Sequence, residues 1–145
     1  MNRFFYGERG DMVWAALILV FVLLPLAGLA VDAPRYFALK EVLQTATDNA
    51  AQAAARCVDM AHFRETGETI LDETCARGEA VVMFEATVSP LRKKGYTARL
   101  VSLTVDRAHQ SVTAVAEGDL RLIFNLTPHI TVRAHTTSEY RVEVR

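Results

Sequence analysis

The chain has 145 residues, a formal net charge of −1 at pH 7 and a hydrophobic content of 51%. So even a charge balance supplies no basic field for a polyanion, and no nucleic-acid partner is expected. The length suits one small domain once a terminal apolar segment is set aside.

That segment runs from Met12 to Val31 without a charged residue. At a rise of about 1.5 Å per residue a helix of this length spans about 30 Å, one bilayer hydrocarbon core, so the lipid bilayer is the first expected partner. Gly28-Leu29-Ala30 passes as a small-residue processing site. Secretory signals, however, have apolar cores of about 7–15 residues, so the segment is read as a retained anchor. Arg3 and Arg9 before the span nearly balance Arg35 and Lys40 after it. The short N-terminus is therefore placed in the cytoplasm on simplicity, with the bulk of the chain exported.

Beyond Pro34 the apolar spacing of three and four resumes through Tyr36, Leu39, Leu43, Ala46, Ala50, Ala53 and Cys57, so the helix is expected to continue to about Arg56. Ala46, Ala50, Ala51, Ala53, Ala54 and Ala55 give high helix propensity and a thin surface that another element can approach closely. Two uses stay open. Ala46, Ala50, Ala53 and Ala54 pack against partner helices, or the alanines fill a helix lying under the chain's own domain, and both can hold at once.

Ala61 to Glu68 reads as a loop with Gly67 at a turn. A second helix comes next, capped by Thr69 or Asp72. Its apolar face is drawn through Ile70, Leu71, Cys75, Val81, Val82, Phe84, Glu85 and Val88. Gly78 is a point where it divides, and Pro90 with Arg92-Lys93-Lys94-Gly95 is its stop. The run of three cations is read as complementing the helix dipole. Cys57 and Cys75 are the only cysteines. In an exported domain they form one disulfide, worth about 3 kcal/mol in the chain-entropy account; without export they are two buried thiols.

After Tyr96 the period changes to two. Val101, Leu103 and Val105 alternate with Ser102 and Thr104, Asp106 to Gln110 makes a turn, and Val112 to Ala116 begins the returning strand, interrupted at Gly118-Asp119. Ile130, Val132, Ala134, Tyr140, Val142 and Val144 mark a last strand. The fold class is α+β: a single transmembrane helix continues into an exported helix that packs, with the second helix, on a roughly three-stranded antiparallel sheet.

The four histidines, His62, His109, His129 and His135, show no metal-ligand spacing with the cysteines or carboxylates, and no nucleophile or phosphate-loop motif occurs. No catalytic residue, metal, cofactor or small-molecule substrate is assigned. The sequon at Asn125 is too short a pattern to carry weight.

Glu8-Arg9-Gly10, the apolar span with Leu24-Pro25, the exit Ala30-Val31-Asp32, and Leu43-Gln44-Thr45-Ala46-Thr47-Asp48-Asn49-Ala50-Ala51 stand in the order found in the TadE/TadG-like family of the tight-adherence (Flp) pilus machinery, which residues 8–55 resemble. The resemblance implies a pilin-like, single-pass protein of the bacterial inner membrane with its C-terminal domain outside the cytoplasm. Its expected partners are other pilus-assembly or pilin subunits. It also implies a prepilin-type processing site at Gly10-Asp11. Processed pilins commonly carry a glutamate five residues after the cleaved glycine, where this chain has Ala15. That departure favours an uncut anchor and an accessory role over a shaft subunit.

The organisation expected is a cytoplasmic N-terminus over 1–11, a transmembrane helix over 12–31, an alanine-rich extension over 32–60 and an exported α+β domain over 61–145. The function expected is a noncatalytic minor pilin or assembly protein. The alternative is a membrane-anchored binding or sensing module with a concave site on its sheet, although Tyr96 and Tyr140 stand alone there.

Overall fold

The computed structural model describes residues 7–122 and 130–140, with side chains from Met12 onward. Helix α1 (Gly7–Ile18) passes through a π-helical turn (Leu19–Leu23) into α2 (Leu24–Ala55) without leaving helical conformation. Pro25 explains where the irregularity falls. It has no N–H to donate, and its ring crowds the carbonyl of Phe21, a conflict that a wider turn just before it accommodates. Pro34 lies inside α2 and does not end it.

The helix stops at Arg56, and a short helix α3 (Met60–Thr66) comes next. It corrects the expectation of a loop over Ala61 to Glu68. Asp59 Oδ1 accepts from the backbone N–H groups of Ala61 and His62 at 3.0 Å, and Gly67, at φ 75°, closes the far end in the left-handed conformation. Helix α4 (Glu73–Lys93) starts on Asp72, whose carboxylate caps Thr74 and Cys75. It runs unbroken through Gly78 and includes Pro90 in its last turn.

Helices α2 and α4 lie side by side on one face of a three-stranded antiparallel meander, β1 (Thr97–Asp106), β2 (Ser111–Leu120) and β3 (Ile130–Glu139). Val142 and Val144 fall outside the described residues. The inward rungs are unusually small: Ala98 faces Gly118, Leu100 faces Ala116, and Ala116 in turn faces Ala134. Small residues on the sheet let α2 settle close. A Cβ on Gly118 would come within 3.3 Å of both Leu39 Cδ1 and the Thr97 carbonyl oxygen. Gly118 therefore permits close approach inside a continuous strand, where the sequence suggested an interruption.

Two apolar faces differ from expectation. On α4 the buried positions are Ala76, Ala80, Phe84, Val88 and Leu91, whereas Val81 and Val82 face solvent. Alanines at 76 and 80 meet the alanine surface of α2, and the adjacent valines are rotated away by about 100° per residue. On β1 the register shifts between Leu100 and Ser102, leaving Val101 without a partner on β2. Such a bulge reverses the facing of the residues after it, so Leu100 and Leu103 both point inward while Val101 is exposed.

Candidate functional site

The first candidate surface is the anchor itself. Among the described residues one helix is long and apolar enough to cross a membrane. Met12, Trp14, Leu17, Leu19, Phe21 and Leu24 are all exposed, although they point in every direction around the axis. A helix apolar on all sides with no protein around it is stable in hydrocarbon, where its backbone bonds are satisfied internally.

The junction with the domain begins at Gly28, which is buried, and at Asp32, whose residue exposure is only 7%. Arg35, one turn on, reaches back with Nη1 to Asp32 Oδ1 at 3.2 Å. Its Nε donates to the Tyr96 hydroxyl at 3.4 Å, and its guanidinium carbon stands 5.8 Å from the Tyr96 ring centroid. Tyr96 thus links the turn after α4 to the end of the anchor, a role its isolated position in the sequence does not reveal. Below this cluster is an open apolar recess of about 440 Å³, lined by Pro25, Gly28, Leu29 and Phe37 of the long helix and by Leu122 and Ile130 at the end of the sheet.

The residues singled out from sequence are spread over the molecule. Gly10 and Asp11 belong to helical backbone in α1, ahead of the residues whose side chains are described. Ala15 is exposed on the same helix. Cys57 and Cys75 form a disulfide with Cα atoms 5.7 Å apart. Beside it Val58 pairs with Leu71, the Asp59 N–H donates to the Ile70 carbonyl and the Asp72 N–H donates to the Cys57 carbonyl, all flanking the α3 segment. Ala46, Ala50 and Ala54 are fully buried and Ala53 is partly buried, in contact with α4 and the sheet of the same chain. Packing within the chain, one of the two compatible uses of the alanines, is seen directly.

The sheet's other face is polar. Arg99, Glu117 and Arg133 occupy one rung across the three strands, with Arg99 Nη2 donating to Glu117 at 3.1 Å and Arg133 Nε at 2.7 Å. The hydrogen bond from Arg99 holds the Glu117 carboxyl below the usual glutamate range, partial burial opposes it, and Arg133 adds to the lowering. Period-two alternation puts Glu117 and Arg133 on outward positions, the bulge after Leu100 does the same for Arg99, and the strand register brings the three together. At the hairpin, Asp106 accepts from His109 Nδ1 at 2.8 Å, and that bond lowers the carboxyl's pKa. Gln44 on α2 donates to Asp48 and Thr136, and the Thr136 hydroxyl donates to Asp48, fastening β3 to the helix.

The family model described as "Putative Flp pilus-assembly TadE/G-like" matches residues 11–56. No curated protein and no solved structure matches the chain. The matched stretch ends where α2 ends and takes in both the bare anchor and the buried alanine helix. Residues 11–56 are therefore similar to the TadE/G-like family that the sequence resembles, and this supports a part in Flp pilus assembly.

Proposed function

We propose that this protein is a noncatalytic, single-pass component of a tight-adherence (Flp) pilus machinery, a minor pilin or assembly protein that works by docking. The observation that carries this reading is the coincidence of the TadE/G-like match over 11–56 with one helical run that ends at Ala55. Such a helix transmits position rigidly from the bilayer to an α+β domain held outside the cytoplasm. The anchor lies in the bacterial inner membrane, and the domain presents its polar sheet face and exposed Val81, Val82 and Val101 to other pilus subunits.

The alanines at 46, 50 and 54 are occupied within the chain, so docking between subunits falls to the anchor and the domain surface. The chain stays uncut between Gly10 and Asp11, with Ala15 where processed pilins commonly carry glutamate. Removing the protein should abolish surface pili and adhesion, and resupplying it should restore both. Intact pili and adhesion in its absence would sink the reading. Mass spectrometry of the mature N-terminus tests processing separately, an N-terminus at Asp11 being the contrary result.

A further inference from the structure

We infer that the recess at the junction is a lipid site: an acyl chain of the outward-facing leaflet fills it, so the domain is seated on the bilayer surface rather than held above it on a stalk. The inference rests on residues 12–31 being a membrane span.

The depth of the recess points to lipid first. Pro25, Gly28 and Leu29 belong to the charge-free run, and Pro25 to Val31 make up roughly its last 10 Å at the rise of an α-helix. Leu122, two residues after β2, and Ile130 at the start of β3 line the same recess as Pro25 and Leu29. The end of the sheet therefore reaches the level of the anchor's final turns. One helix fixes that level, running from Leu24 to Ala55 and passing through Pro34 without ending.

Its chemistry points the same way. The recess is apolar, and its one acidic residue, Asp32, is held by Arg35. Water at this depth would find few polar partners, while a hydrocarbon chain finds Leu29, Phe37, Leu122 and Ile130. Phe37 is 65% exposed just above the span and stands edge-on to Tyr36 at 5.6 Å, and on the same turn of the helix Arg35 lies over the Tyr96 ring. Aromatic and cationic side chains at that height are what a headgroup region accommodates.

The native Trp14, 68% exposed within the span, supplies an internal reference. The full chain is reconstituted in phosphatidylcholine vesicles whose acyl chains are brominated near the headgroup, and tryptophan quenching is read. Phe37→Trp and Leu122→Trp are each made in a Trp14→Phe background. Phe37→Trp changes an exposed aromatic and remains informative if the half-buried Leu122 site does not tolerate indole. We expect bromolipid quenching of the introduced tryptophan within about twofold of that of Trp14, because each lies near the headgroup level of its own leaflet, at opposite ends of the span. Quenching by aqueous acrylamide without bromolipid quenching would overturn the lipid site, as would shielding from both, which marks a partner helix or protein segment in the recess. Failure of Trp14 itself to be quenched by bromolipid would instead overturn the membrane span on which the inference stands.

Discussion

The two halves of the long helix share one backbone and differ in everything around it. From Met12 to Leu24 the side chains are apolar, mostly large and exposed on every side, whereas from Leu39 to Ala55 the inward positions are leucine, alanine and Thr47, fully or almost fully buried under α4 and the sheet. Bulk serves the first half, because lipid moulds itself to any apolar surface. Thinness serves the second, because a protein neighbour must fit at fixed distance. Helical continuity across the boundary makes the anchor a structural part of the domain rather than a tether.

Truncation should separate the halves most sharply. Phe84→Ala empties the centre of the interface between α4 and α2 and is expected to cost about 3–5 kcal/mol in chemical unfolding of the domain in detergent. Phe21→Ala in the exposed half should leave the same transition unchanged within about 0.5 kcal/mol. Next in size is the disulfide that fastens the end of α2 to the start of α4. Replacing Cys57 and Cys75 together with alanine should lower stability by about 3 kcal/mol in the same assay.

Enlargement tests the role of the alanines. Ala50→Leu has no space to enter and should cost about 1–3 kcal/mol, while Ala16→Leu, on the exposed half, should be neutral. The smallest effect concerns the sheet's outer face. Because the Glu117 pKa is lower in the folded state than unfolded, its stabilisation is present above the ordinary glutamate value of about 4.3 and is lost as pH falls through the folded value. A pH series of unfolding midpoints for Glu117→Gln should therefore converge on wild type at acid pH and lie below it at neutral pH.

The anchor, the continuation past Pro34, the hairpin, the three strands and the cysteine pair were all legible, because each leaves a local mark: length, a period of 3.6 or 2, or an even count of thiols. What escaped depends on neighbours distant in sequence. Alanines at 76 and 80 outrank valines at 81 and 82 only because α2 presents an alanine surface opposite them. Val101 turns outward because β1 carries one residue more than β2 at that point. Tyr96 gains its partner across the fold, where Arg35 swings back from the helix. The α3 helix had a local signal, Asp59 capping Ala61 and His62, that polar composition masked.

The central claim is that one helix passes from lipid to protein with its environment changing near Val31. Spin labels on single cysteines at exposed positions test it directly: Val13, Leu17, Val20 and Leu24 on one side, Lys40, Glu41, Thr45 and Gln52 on the other. The native cysteines are joined to each other and leave the introduced one to be labelled. In bilayers, collisions with oxygen should dominate over the first set and collisions with a water-soluble nickel chelate over the second, crossing between Val31 and Lys40. Nickel access at Val13 to Leu24, or oxygen dominance as far as Gln52, would contradict the account.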